Sequence, residues 1–275
     1  MEKDIKAPKK EFEASPWFLS MREKAPTPGG TFIFVTLRIL DLPLQYWLLK
    51  SGAGLSLIQR LGGRPATYHV ASTSSFLGLS PYYGLIFGLA VGSAAKQIFW
   101  RLAVSEQVLP AGFATIVAAY NTIFNSINTL LSLWAVTSNE LGGLPTWSSL
   151  FSTSPLGSTV PFGLVLYAVG MYFETWSEVQ RKRFKMDPAN KDKPFTGGLF
   201  GLATNINYGG YTLWRTGYSI VCAGLPWGAA VTAWLAGDFC GRAIPNMEAY
   251  CQTRYGKQWT EVRRKVPYRL LPWIY

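Results

Sequence analysis

The sequence predicts an all-α, polytopic transmembrane bundle of about six spans, with short interfacial helices beside it. Three observations carry that expectation. Charged residues fill only 15% of the 275 positions, against roughly 25% in ordinary soluble domains. Aromatic residues take another 15%, with 11 Trp, 14 Tyr and 16 Phe. The apolar residues also fall in runs near the length of about 20 that crosses a hydrocarbon core, joined by short charged loops.

Residues 1–30 are charged and proline-bearing, with no apolar core ahead of a small-residue cleavage site, so they read as a basic cytosolic segment and not as a signal peptide. The first span is Thr31–Leu49, interrupted by Arg38, Asp41 and Pro43. Arg38 and Asp41 are three apart and can pair on one helix face. An unpaired charge at mid-membrane costs about 2.5–3.5 kcal/mol, so this span is expected to be tilted, short or partly interfacial. The second span, Phe76–Ala95, carries Gly84, Gly88 and Gly92 on one face, which would let another helix approach closely. The third, about Ala111–Val136, repeats Asn121, Asn125 and Asn128 at helical spacing, and such a face points into a bundle as interhelical glue or cavity lining. The fourth is Val160–Phe173. The last apolar region, about Tyr211–Gly241, holds Gly224-Leu225-Pro226 near its centre and is either one kinked helix or a hairpin.

Loop charge separates those alternatives. The N-terminal segment holds six Lys/Arg, the stretch 174–196 another six and the tail from Arg242 seven, whereas 137–157 holds none. Under the positive-inside rule 174–196 is cytosolic and 137–157 faces the other side. Both termini are then cytosolic only if the last region crosses twice, with the bend at Pro226.

Composition also excludes several classes. The net charge of +11 is dispersed among loops and forms no soluble stripe, which favours membrane lipids and a phosphate-bearing cofactor over nucleic acid as partners. Three cysteines without a CxxC give no zinc or disulfide framework, and the lone His69 gives no His-metal set and no His-centred triad. Gly-rich stretches follow no strand and read as membrane packing or loops.

The densest polar information begins at Glu174. The run Glu174…Gln180-Arg181…Phe184-Lys185…Asn190-Lys191, then Gly198-Leu199-Phe200 and Asn207-Tyr208-x-Gly210, resembles the C-terminal domain of the steroid 5-alpha-reductase family, and more narrowly its DUF1295 branch. The tail agrees, with Ile244-Pro245-Asn246-Met247-Glu248, Tyr255-Gly256-x-x-Trp259, Val266-Pro267-Tyr268-Arg269 and Pro272. The resemblance covers residues 160–275, which sets that membrane domain apart from N-terminal spans over 31–159. The same fold resembles the isoprenylcysteine carboxyl methyltransferases.

The resemblance implies a cytosol-facing cavity for NADPH and reduction of a lipophilic, sterol-like or isoprenoid C=C bond at the endoplasmic reticulum. It makes Tyr208 and Asn205 the catalytic candidates, Tyr208 as a hydrogen-bond donor and acid. Asn207, Arg181, Lys185, Gln180, Glu174 and Glu248 become the cofactor-binding candidates. A structural ion pair is the simpler role for Glu174 and for Glu248, and an interfacial tyrosine the simpler one for Tyr208. The chain departs from the family's Arg-His-Pro-Asn-Tyr pattern at Thr204, Asn205 and Ile206, and Tyr211 stands where that pattern has an acid. Threonine lacks arginine's charge and planar fork, and asparagine cannot shuttle a proton near neutral pH. Two further expectations stand beside reduction: an S-adenosylmethionine-dependent methyltransferase, and a non-catalytic lipid- or partner-binding membrane protein.

Overall fold

The computed structural model describes residues 13–20, 22–66, 77–138 and 159–275. His69, the predicted span start at Phe76 and most of the cation-free stretch 137–157 lie outside them. The described residues are helical apart from turns and two isolated bridges. In chain order they form α1 (Pro16–Ser20), α2 (Pro28–Lys50), α3 (Ala53–Arg60), α4 (Pro81–Phe99), α5 (Ala111–Leu133), α6 (Thr159–Met186), α7 (Ile206–Asp238), α8 (Ile244–Tyr255) and α9 (Lys257–Lys265). Prolines open α2 and α4 at the first helical turn, where the missing N–H costs nothing and φ is already helical. The second apolar run therefore starts at Pro81, later than the hydrophobicity alone suggests. It runs past Ala95 to Phe99 and a π-helical turn at Trp100–Val104.

The segment α7 is a hairpin. Ala223 (φ −146°, ψ 23°) and Gly224 (φ 74°, ψ −175°) leave helical geometry, and the positive φ at Gly224 is one that a side chain resists. Beyond this break the chain doubles back, because the Thr216 and Thr232 hydroxyls sit 2.7 Å apart. Sixteen residues of continuous helix would hold them about 24 Å apart. The bend thus falls at Ala223–Gly224, and Pro226, expected to mark it, lies in the first turn of the returning arm, where proline is tolerated.

Contacts at the two ends place the helices in alternation. At one end the Lys24 and Glu106 side chains meet at 2.6 Å, Lys185 Nζ donates to Tyr255 Oη at 3.2 Å and Arg254 pairs with Asp192 at 3.5 Å. At the other, Ala66 N donates to Leu133 O at 2.7 Å, and Tyr82 Oη donates to the Val221 and Cys222 carbonyls at 3.0 Å. Arg22 and Lys24 of the N-terminal segment, the stretch 174–196 and the tail accordingly gather at a single end.

Buried polar groups lie beside the apolar core, and large apolar residues face outward. Arg38 and Asp41 pair at 3.1 Å with side chains fully buried, and Asn121, Asn125 and Asn128 are buried as well. Phe32, Ile39, Ile116, Ile123, Val165 and Trp234 face outward. Among the described residues, α2 and the stretch Ile206–Tyr255 that contains the hairpin are long and apolar enough to cross a membrane.

The expected glycine seam on α4 is not where the helices touch most closely. A side chain added at Gly88 would meet nothing, and Gly92 faces the Tyr167 hydroxyl. The close approach is between α6 and α7. Gly163 and Gly170 face Gly217 and Gly210, and a methyl at any of the four would strike backbone of the opposing helix.

Candidate active site

At the basic end lies a cavity of about 340 Å³. The C-terminal turns of α6 supply Glu178, Arg181, Lys182 and Lys185, the start of α7 supplies Asn205 and Asn207, and α8 supplies Tyr250, Cys251 and Arg254. Arg22 and Lys24 close it from the N-terminal segment, and Glu106 from the loop after α4. The entry to α7 is fixed by the tail, because Thr204 N donates to Tyr268 O at 3.0 Å and Asn205 N to Arg269 O at 2.9 Å. The motif-like stretch and the C-terminal residues are therefore one structural unit.

Glu178 is the group that organises the wall. It is only 6% exposed; its Oε1 accepts from Asn207 Nδ2 at 2.7 Å and its Oε2 from the Arg181 guanidinium. Three polar side chains from two helices are thus locked together, with Arg181 also lying over the Phe200 ring. Sequence reasoning missed Glu178, because a carboxylate among lysines and arginines reads as a solvated ion pair. Its spacing three before Arg181 could have found it. Lys185 donates to Tyr255 Oη and to the Lys193 carbonyl. Burial, and then the nearby Arg254 and Arg181 charges, lower its pKa below that of an ordinary lysine. The Glu106 pKa is lowered as well, with the hydrogen-bonded Lys24 ammonium holding its carboxyl below the usual range.

Of the eight predicted site residues, Arg181, Lys185, Asn205 and Asn207 line the cavity. The other four are engaged elsewhere. Tyr208 stacks on Phe239 with ring centres 4.8 Å apart, and its hydroxyl accepts from Arg22 Nη2 at 3.3 Å. Gln180 Oε1 accepts from Leu199 N at 3.0 Å and holds the loop before α7. Glu174 pairs with Lys96 and accepts from Trp214 Nε1 at 2.6 Å. Glu248 bridges Arg263 (3.3 Å) and Arg269 (3.1 Å).

Comparison with known proteins places this arrangement in a family. The profile described as "Protein of unknown function (DUF1295)" matches residues 116–261. The chain belongs to the DUF1295 family. The match begins inside α5, well before the C-terminal third that carries the recognisable motifs. A probable O-methyltransferase of Ustilaginoidea virens is 32% identical over 259 residues, spanning 91% of this chain and 88% of the relative. A delta(14)-sterol reductase of Gibberella zeae is 26% identical over 210 residues, which cover 53% of this chain and 44% of the reductase. The chain, a DUF1295 member, thus resembles relatives whose names point to two different reactions.

Proposed function

We propose that the basic-end cavity binds S-adenosylmethionine, and that the chain methylates an oxygen of a lipophilic acceptor dissolved in the membrane. The cofactor would supply an electrophilic methyl group on a sulfonium and leave as a neutral thioether, with any proton on the acceptor oxygen released to water at the basic end, so the protein need provide neither hydride nor acid. The observation that carries this reading is the locked Glu178–Asn207–Arg181 wall at the head of a largely cationic and aromatic cavity. Glu178 offers a buried carboxylate to hydroxyl or ammonium donors, Arg254 and Lys182 offer charge to a carboxylate, and Tyr250, Tyr255 and Phe195 offer faces to a purine. A volume of about 340 Å³ lies at the lower end of the 300–1,000 Å³ range typical of ligand sites, which suits one nucleoside better than two. The end-to-end alignment with a probable O-methyltransferase supports the same reaction. In this reading the six alternating helical segments each cross the membrane, with both termini cytosolic and the endoplasmic reticulum as the compartment.

A second reading, NADPH-dependent reduction of a lipophilic C=C bond, is favoured by charge. Arg22, Lys24, Arg181, Lys182, Lys185 and Arg254 face the cavity against the carboxylates Glu106 and Glu178, a surplus suited to phosphates. Against it stands Tyr208, the expected acid, which is stacked on Phe239 and occupied by Arg22 outside the cavity lining.

Titration of the purified full-length protein in detergent with each cofactor separates the two. Saturable S-adenosylmethionine binding, weakened about tenfold or more in Glu178→Gln as expected for a lost charge-assisted bond, supports methyl transfer. Saturable NADPH binding without it overturns that reading in favour of reduction.

A further inference from the structure

The interior of the bundle, away from the basic-end cavity, holds a second polar cluster that the proposed reaction does not use. Arg38 on α2 and Arg215 on α7 are 0% and 1% exposed. Asp41 is saturated, accepting from Arg38, from Gln45 at 2.9 Å and from Asn125 at 2.7 Å. Arg215 gives Nε to Tyr211 Oη at 3.2 Å and Nη2 to Asn121 Oδ1. Arg38 pairs with Asp41, while among the described residues no carboxylate pairs with Arg215, and Arg38, Arg215 and Tyr218 lie within electrostatic reach of one another. Among the described residues, Arg38 Nε and Nη2, Arg215 Nη1, Asn128 Nδ2 and the Tyr218 hydroxyl are buried without a hydrogen-bond partner, and so are the amide oxygens of Gln97 and Asn125. A buried cation is stable only when paired and hydrogen-bonded. Unused donors at two arginine forks, with one positive charge in excess, match a planar oxyanion that can accept two parallel bonds.

We propose that the core between α2, α5 and α7 is a binding site for the carboxylate of an acidic lipophile. The apolar tail would lie among the outward apolar side chains of the bundle, and the carboxylate would neutralise the excess guanidinium charge. The site is distinct from the cofactor cavity, since none of Arg38, Arg215, Asn128 or Tyr218 lines it.

The test is equilibrium binding of radiolabelled oleate to the purified full-length protein in detergent, with acetate, oleyl alcohol and methyl oleate as competitors. Saturable oleate binding that oleyl alcohol and methyl oleate fail to displace is the expected result. Displacement by acetate at equal concentration would overturn the lipophile and leave a small-anion site. Competition by the alcohol or the ester would overturn the carboxylate. Tyr218→Phe removes a hydroxyl with no protein partner, so it should leave the unliganded melting temperature unchanged while weakening oleate by several-fold, on the scale of one hydrogen bond. Arg215→Gln should weaken oleate by about tenfold or more, as loss of a charged donor does. Should Arg215→Gln fail to fold, Tyr218→Phe alone decides: unchanged oleate affinity in that variant sinks the proposal.

Discussion

The α6–α7 and α2–α5 interfaces solve the same problem by opposite means. In lipid, helices gain little from burying apolar surface against each other, so they associate through close packing or through interhelical hydrogen bonds. The first interface uses close packing: Gly163, Gly170, Gly210 and Gly217 bring two backbones together. The second uses hydrogen bonds, with Gln45 donating to Ser126 at 3.0 Å, Thr129 to Gln45 at 2.7 Å and Asn125 to Asp41. The dry seam tolerates no added atom, and the wet one tolerates no lost partner.

Breaking the wet interface has the largest expected effect. Asp41→Asn would leave the buried Arg38 charge unpaired, a loss of about 3–5 kcal/mol, read as a fall in thermal stability in detergent. A melting temperature unchanged from wild type would show that the pair is not what holds α2. At the dry seam, Gly217→Leu forces a side chain against the Gly163 carbonyl and Tyr167 nitrogen. Backbone on the far side cannot yield, so overpacking should cost about 1–3 kcal/mol or more. The control Gly88→Leu, which meets open space, should fold normally, and equal losses in the two variants would erase the distinction between seam and surface.

The smallest effect sharpens the contrast between the interior and the basic end, where solvent reaches the charges. Because burial and neighbouring cations lower the pKa of Lys185, it loses its charge at a lower pH than an ordinary lysine. Affinity for an anionic ligand in the cavity should therefore be full at neutral pH and decline as pH rises through that lowered value. Lys185→Arg, which stays charged, should flatten the profile; a profile identical in the two proteins would remove Lys185 from the site.

Much of this was legible in the sequence where the signal is local. Arg38 and Asp41 pair because they are one turn apart, and the asparagine face of α5 turns inward as its spacing dictates. The hairpin was legible from charge: two basic stretches had to meet, although φ at Gly224, not the proline, sets the bend. The glycine seam was not legible, because its residues are seven apart in two runs separated by more than thirty positions, and no single window contains both sides. The candidate site was half legible. Arg181, Lys185, Asn205 and Asn207 converge, but the orientation of Tyr208 depends on Phe239 in the returning arm, a contact that only the fold creates.

The tight reversal at Gly224 has a consequence for how the chain is made. Its two arms are joined by almost no loop, so the turn itself offers little for a protease, a glycan or a soluble partner to grasp. During synthesis the Thr216 hydroxyl of the outgoing arm finds Thr232 only after another sixteen residues have emerged. In the proposed topology the pair would enter the bilayer together, which would make the insertion machinery, and not the folded protein, the first judge of any substitution near this turn.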